Sequence, residues 1–142
     1  MKKIVPGAMI CIFSEDRESI LLHLRDDADL WSVPGGSAEF GESLEELVKR
    51  EAFEEVGLEI AIDRVFGIYS SPTDFIFKYR DGNEVHSYVV GVECRKISGF
   101  EQSNSDDSLE VRWFKVNNLP DNLMKNQYQV INDCLSGGFS VK

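Results

Sequence analysis

The sequence predicts an α/β fold in which a mixed β-sheet packs between helices. Strand-like apolar segments recur along most of the 142 residues. A capped helix signal after residue 42 and a second helix signal after Pro120 interrupt them without strict alternation of strand and helix. With 42% hydrophobic and 28% charged residues, the composition is that of an ordinary globular domain able to bury a core. No internal repeat or low-complexity tract divides it, so one domain over residues 1–142 is expected.

The elements follow in order. Residues 5–13 read as a strand, 14–18 as a polar turn, and 20–24 as a second strand. The acidic stretch 26–29 reads as a loop, and 31–33 as a short strand ending at Pro34-Gly35-Gly36. Ser43, with Glu46 three residues on, is a capping box that opens a helix over 43–56, and Gly57 stands where it should stop. Residues 60–69 are mostly extended, and 75–79 and 85–92 flank Asp81-Gly82 as a hairpin. Residues 109–116 form a further strand, and Asp121 caps a last helix to about Leu135, before Gly137-Gly138.

Composition also bounds the partners. A formal net charge of −10 repels polyanions, so no long nucleic acid is expected. The apolar runs fall far short of the roughly 20 residues a bilayer span needs, and the N-terminus lacks a signal-peptide cleavage pattern. Cys11, Cys94 and Cys134 show no CxxC spacing, which suits buried reduced thiols in a cytoplasmic protein. No membrane partner is expected, and the protein is read as a monomer or homodimer.

The chemistry concentrates in the helix over 43–56. At about 100° per residue, Glu51, Glu54 and Glu55 fall within an arc of about 100°. Leu44, Val48, Ala52 and Val56 form an apolar stripe beside them. Three acids so close repel one another, and near a helix C-terminus they face the negative pole of the dipole. A solvated acidic face is the bland reading. A bound Mg²⁺ or Mn²⁺ would resolve the conflict, because hard cations prefer clustered oxygen ligands.

The spacing decides between these readings. Gly36 is followed after five residues by Glu42, and after seven more by Arg50-Glu51-Ala52-Phe53-Glu54-Glu55-Val56-Gly57-Leu58. This resembles the Nudix box, Gly-x5-Glu-x7-Arg-Glu-U-x-Glu-Glu-x-Gly-U with U apolar, at every defined position. Chance would produce it in under about one in 10⁵ chains of this length. The segments 30–36 and 110–114, with Leu119-Pro120, resemble the family's flanking regions. The resemblance implies a Nudix fold, an α/β/α sandwich around a mixed sheet, and a pyrophosphohydrolase acting on phosphoanhydride bonds.

Family roles carry onto the matching positions as implications. Glu51, Glu54 and Glu55 would hold the divalent metals together with the Gly36 carbonyl. Arg50 would orient a box carboxylate, a task suited to a planar guanidinium. Glu42 would anchor the loop leading into the helix, and Gly57 would turn the chain out of it. Family members differ in which glutamate acts as general base; Glu54 is the first choice here, with Glu110 as an additional ligand or base and Asp106 and Asp107 behind it. Arg25 resembles a position that meets substrate phosphate, with a surface salt bridge as the other reading.

Other residues carry blander expectations. His23 and His86 lie in strands without metal-ligand spacing and are read as packed side chains. Phe75, Phe77, Tyr79 and Tyr88 are read as core or cross-strand pairs that also have the chemistry to stack a base. Phosphate-binding P-loop, zinc-protease and nucleophile-elbow patterns are absent from the sequence. A compact Nudix chain points first to a nucleoside triphosphate pyrophosphohydrolase of the nucleotide-sanitising kind. ADP-ribose or nucleotide-sugar pyrophosphatase is the alternative. A non-catalytic nucleotide-binding regulatory module is the reading from another class, favoured by loss of box acids, none of which is missing here.

Overall fold

The computed structural model describes every residue except Asp27 and Ala28. Its elements run β1 (Lys2–Ile12), β2 (Ser19–Arg25), β3 (Trp31–Ser32), β4 (Gly35–Ser37), α1 (Leu44–Val56), β5 (Leu58–Tyr69), α2 (Pro72–Phe75), β6 (Ile76–Lys78), β7 (Glu84–Gly99), β8 (Ser108–Lys115), α3 (Gln127–Ser136) and β9 (Ser140–Val141). The larger sheet has the order β4-β1-β7-β5-β9, with β6 added alongside β7. It is mixed, as the sequence predicts: β1 runs parallel to β7, while β5 and β6 pair antiparallel with β7. A smaller antiparallel sheet has the order β3-β2-β8.

Strand alternation builds the layers. Ala8, Ile10 and Ile12 of β1 face α1 and pack with its Leu47, Val48, Ala52 and Val56. Met9 and Cys11 point to the opposite face with Phe13, and meet Val130, Ile131 and Cys134 of α3. The period of two thus feeds two cores from one strand, with a helix closing each. The apolar residues of β2 divide in the same way: Leu21 joins the α1 core, and Ile20 and Leu22 join the α3 core.

The expected helix is present with both caps. Ser43 accepts from the Glu46 N–H while the Glu46 side chain accepts from the Ser43 N–H, completing the capping box. Gly57 ends α1 at φ 78, and a Cβ there would also collide with the Phe100 and Gln102 carbonyls. Glycine is required on both counts.

Three expectations need correction. Pro34-Gly35-Gly36 does not simply end a strand, because Gly35–Ser37 forms β4 against Gly7, Ala8 and Met9. Phe75 ends the one-turn helix α2, which the run of alternating aromatics concealed. Asp121 does not open the last helix, which starts at Gln127. The Trp31 N–H donates to the Asn122 carbonyl at 2.9 Å, the Met124 N–H donates to the Trp31 carbonyl at 2.8 Å, and Leu123 is buried nearby. These contacts hold Leu123 as a β-bridge partner of Trp31, so tertiary packing overrides the helix-start signal. The acidic loop expected at 26–29 includes Asp27 and Ala28, which lie outside the described residues. Among the described residues no helix is long and apolar enough to cross a membrane.

Candidate active site

The box acids occupy different environments along α1. Glu51 is buried, and its carboxylate rests against the Cα of Gly36: a Cβ built there would stand 2.6 Å from Glu51 Oε1. Glu55 reaches the neighbouring glycine, where its Oε1 accepts from the Gly35 N–H at 2.7 Å. Burial pushes the Glu55 carboxyl up to about 8; the Gly35 N–H opposes the shift and the nearby Glu51 adds to it. Burial likewise raises Glu51, against the pull of Arg50. Glu54 is more exposed and lies 3.4 Å from Arg50 Nη1.

Arg50 ties the group together. Its Nε and Nη2 donate to the two oxygens of Glu42 at 2.6 and 2.9 Å, a bidentate pair that holds the Glu42 carboxyl down at about 2. Nη1 donates to Glu51 Oε1 at 2.7 Å, and Nη2 also reaches the Ser37 carbonyl at 3.2 Å. Glu42 in turn accepts from the Glu39 N–H, closing the loop between β4 and α1. One guanidinium therefore fixes the loop, the β4 backbone and a helix carboxylate.

The C-terminus of α1 is satisfied from an unexpected direction. Asn104 donates its backbone N–H to the Glu54 carbonyl and its side-chain amide to the Phe53 carbonyl. Ser108 donates its hydroxyl to the Glu55 carbonyl at 2.8 Å, and the Gln102 N–H donates to the Val56 carbonyl at 3.1 Å. The last carbonyls of the helix thus have donors, which offsets the negative pole beneath the glutamates. Asp106 and Asp107 belong to this loop as exposed residues.

These contacts, together with a match of the NUDIX domain family model to residues 3–134, decide the family. The chain belongs to the Nudix hydrolase family. A putative 8-oxo-dGTP diphosphatase of Bacillus subtilis is 30% identical over 135 residues, spanning 95% of this chain and 83% of that protein. An ADP-ribose pyrophosphatase of Methanocaldococcus jannaschii is 30% identical over 112 residues; the match spans 77% of this chain and 61% of the relative. Among solved structures, an ADP-ribose pyrophosphatase from Streptococcus suis superposes with a TM-score of 0.78 at 27% identity, covering 97% of this chain and 98% of that one.

Beside the Nudix box lies a cavity of about 520 Å³. Gly35 and Gly36 form part of its wall with His23 and Arg25, and Phe75, Phe77 and Gln127 line it elsewhere. His23 is buried, with Nε2 standing 3.7 Å from Glu55 Oε2, so it sits at the site and not merely in the core. Its place on β2 gave no motif to find it by; only the pairing of β2 against the α1 side reveals it. Arg25 lies close enough to favour the ionised form of Glu55. Gln127 is buried, and its Oε1 accepts from the Val33 N–H at 3.0 Å.

The structure does not bring Glu110 to the same place. Glu110 pairs with Arg112 and lies opposite Leu24 across the β2–β8 ladder. Leu24 and Phe114 pack towards the α3 core, whereas Val111 and Trp113 pack towards α1. Alternation therefore puts Glu110 on the sheet face away from His23 and Glu55. His86 bonds the Ser70 carbonyl and contacts the Tyr88 ring, remote from the box.

Among the described residues no three acid, histidine or cysteine side chains converge as a ready coordination cluster. The donor set nevertheless fits a hard divalent cation. Glu51 and Glu55 bring carboxylate oxygens out of water to the backbone of β4, where the missing side chain of Gly36 leaves room for Glu51 and the Gly35 N–H donates to Glu55. Burial is what raises the proton affinity of both, and a bound divalent cation would favour their ionised forms.

Proposed function

We propose that this chain uses divalent cations, Mg²⁺ or Mn²⁺, to hydrolyse a diphosphate linkage in a nucleoside diphosphate derivative. The observation that carries the reading is the pair of desolvated carboxylates, Glu51 and Glu55, held against Gly36 and Gly35 beside a nucleotide-sized cavity. Glu51, Glu54, Glu55 and the Gly36 carbonyl would hold the metal. When bound, it would neutralise the diphosphate oxygens and ease departure of the leaving phosphate.

The chain's own residues do the rest. Arg50 keeps Glu51 oriented through its anchor on Glu42. Glu54 accepts the proton of the attacking water as general base. The water oxygen bonds to one phosphorus, and the bridging oxygen leaves with its electron pair on the other phosphate. Arg25, at the wall of the cavity, pairs with a substrate phosphate. One domain over residues 1–142, acting in the cytoplasm as a monomer or homodimer, suffices for this chemistry.

Two substrate readings follow. The likeness to the Bacillus subtilis protein supports a nucleoside triphosphate of the nucleotide-sanitising kind, and the likeness to the Streptococcus suis protein supports ADP-ribose or a nucleotide sugar. The test is product release from normal and oxidised nucleoside triphosphates, ADP-ribose, UDP-sugars and diadenosine polyphosphates, with Mg²⁺, Mn²⁺ or EDTA. Metal-dependent release from one group is expected. Silence across the panel from folded, metal-binding protein would favour a regulatory binding module instead.

A further inference from the structure

Strand β8 ends the smaller sheet, and among the described residues β2 is its only ladder partner, so its other edge is open. The pairing with β2 fixes which backbone groups that edge presents. The Val116 N–H donates to the Glu18 carbonyl at 2.9 Å, and N–H groups alternate sides along an antiparallel strand. Glu110, Arg112 and Phe114 therefore turn their backbone polar groups towards Leu24, Leu22 and Ile20. Val111 and Trp113 turn theirs outwards. Such an edge is a template for a further strand.

The side chains make this edge complementary to itself. Glu110 and Arg112 flank Val111, both are exposed, and they form an ion pair within the chain. When two copies of β8 meet antiparallel about a twofold axis at Val111, each Glu110 lies opposite Arg112 of the other copy, on one face of the joined sheet. The outward N–H and C=O of Val111 exchange hydrogen bonds across the axis. Moving the axis to Glu110 or to Arg112 sets like charges opposite each other, and a slip of one residue opposes outward-facing groups with inward-facing ones. Apolar surface adjoins the edge. Leu109 is 59% exposed, and Phe53, on the last turn of α1, is 57% exposed, its carbonyl held by Asn104 of the loop that leads into β8. The net charge of −10 on each copy opposes association, so the contact is weak and depends on concentration.

We propose that the outer edge of β8 is a self-association surface, through which two copies of this chain join their smaller sheets into one continuous antiparallel sheet centred on Val111. The partner is a second copy, selected by the crossed Glu110 and Arg112 pairs. This contact is independent of the hydrolytic reading, and it chooses the homodimer over the monomer.

The experiment is analytical ultracentrifugation of the full chain from about 5 to about 500 μM, with thermal unfolding as the check on folding. The wild type is compared with Val111→Pro, with Glu110→Arg, and with the exchange of both charges, Glu110→Arg with Arg112→Glu. Val111→Pro removes an N–H that β2 does not use, a place where an edge strand tolerates proline. Glu110→Arg sets arginines opposite each other, and the double exchange restores opposite charges. The wild type is expected to pass from one chain to two with a Kd of about 10–100 μM. Each single variant should weaken the dimer at least about tenfold, and the double exchange should return it to within about threefold of the wild type. Should Val111→Pro fail to fold, the charge variants alone decide. A wild type that stays monomeric across the range overturns the proposal. So does a dimer that folded Glu110→Arg leaves as tight as the wild type, or one that the folded double exchange fails to restore.

Discussion

Glu54→Gln keeps the shape of the side chain while removing its ability to take a proton, and turnover is expected to fall by at least about 100-fold with the fold intact. Steady-state rates at saturating Mg²⁺ check this; an unchanged rate would move the base to Glu51 or Glu55. The comparative exposure of Glu54 suits such a role, since Glu51 and Glu55 are withdrawn towards β4. At this scale much is legible in the sequence. The spacing from Gly36 to Leu58 names the acids, and helical geometry places Glu51, Glu54 and Glu55 together. The position of His23 beside Glu55 is not legible, because it depends on how β2 lies against α1 and no local pattern encodes that.

Among the elements, β4 and the loop before β8 explain why the box works as a unit. Gly35 and Gly36 are adjacent, yet their substitution by alanine is expected to fail differently. A Cβ at Gly35 overlaps the Ala8 carbonyl, so Gly35→Ala strains the β1–β4 pairing and should cost about 1–3 kcal/mol of stability. A Cβ at Gly36 meets the Glu51 carboxylate, the end of a side chain that can move. Gly36→Ala should therefore spare much of the stability and weaken metal binding, by about tenfold or more, with thermal unfolding and metal titration separating the two effects. The capping box and Gly57 make α1 readable from sequence with nearly its observed bounds. The donors from Asn104 and Ser108 are not readable as such: a polar run names a loop but not the helix end it serves. Asp121 misleads for the related reason that Trp31 claims the backbone of 122–124.

For the whole molecule, the carboxylates couple metal binding to stability and pH. Glu55 titrates near 8 in the fold against an ordinary value of 4.5, so without metal its contribution to stability is present below 4.5 and lost as the pH rises through about 8. A cation needs the ionised form, and binding below pH 8 must release the proton. The rise in Tm produced by Mg²⁺ is accordingly expected to be larger at about pH 8.5 than at about pH 6, by scanning calorimetry at matched ionic strength. An equal rise at both would contradict the assignment of Glu55. Elsewhere the buried Glu93 accepts from Arg17 and Arg64, and Arg64 donates onward to the Cys134 and Gly138 carbonyls. This network joins the β1–β2 turn to the end of α3, and nothing in the spacing of these residues announces it. Mixed-sheet architecture is legible from the order of elements; the division into a larger and a smaller sheet is not, because strand partners are chosen by tertiary packing.

The central claim, that the box carboxylates hold the cation for hydrolysis, is tested most directly by titrating Mg²⁺ against turnover in the wild type, Glu51→Gln and Glu55→Gln, using whichever nucleotide the wild type cleaves. Turnover should vanish in EDTA, and each variant should need at least about tenfold more Mg²⁺ for half its maximal rate, or lose activity altogether while remaining folded. Turnover that survives EDTA, or variants whose Mg²⁺ dependence matches the wild type, would contradict it.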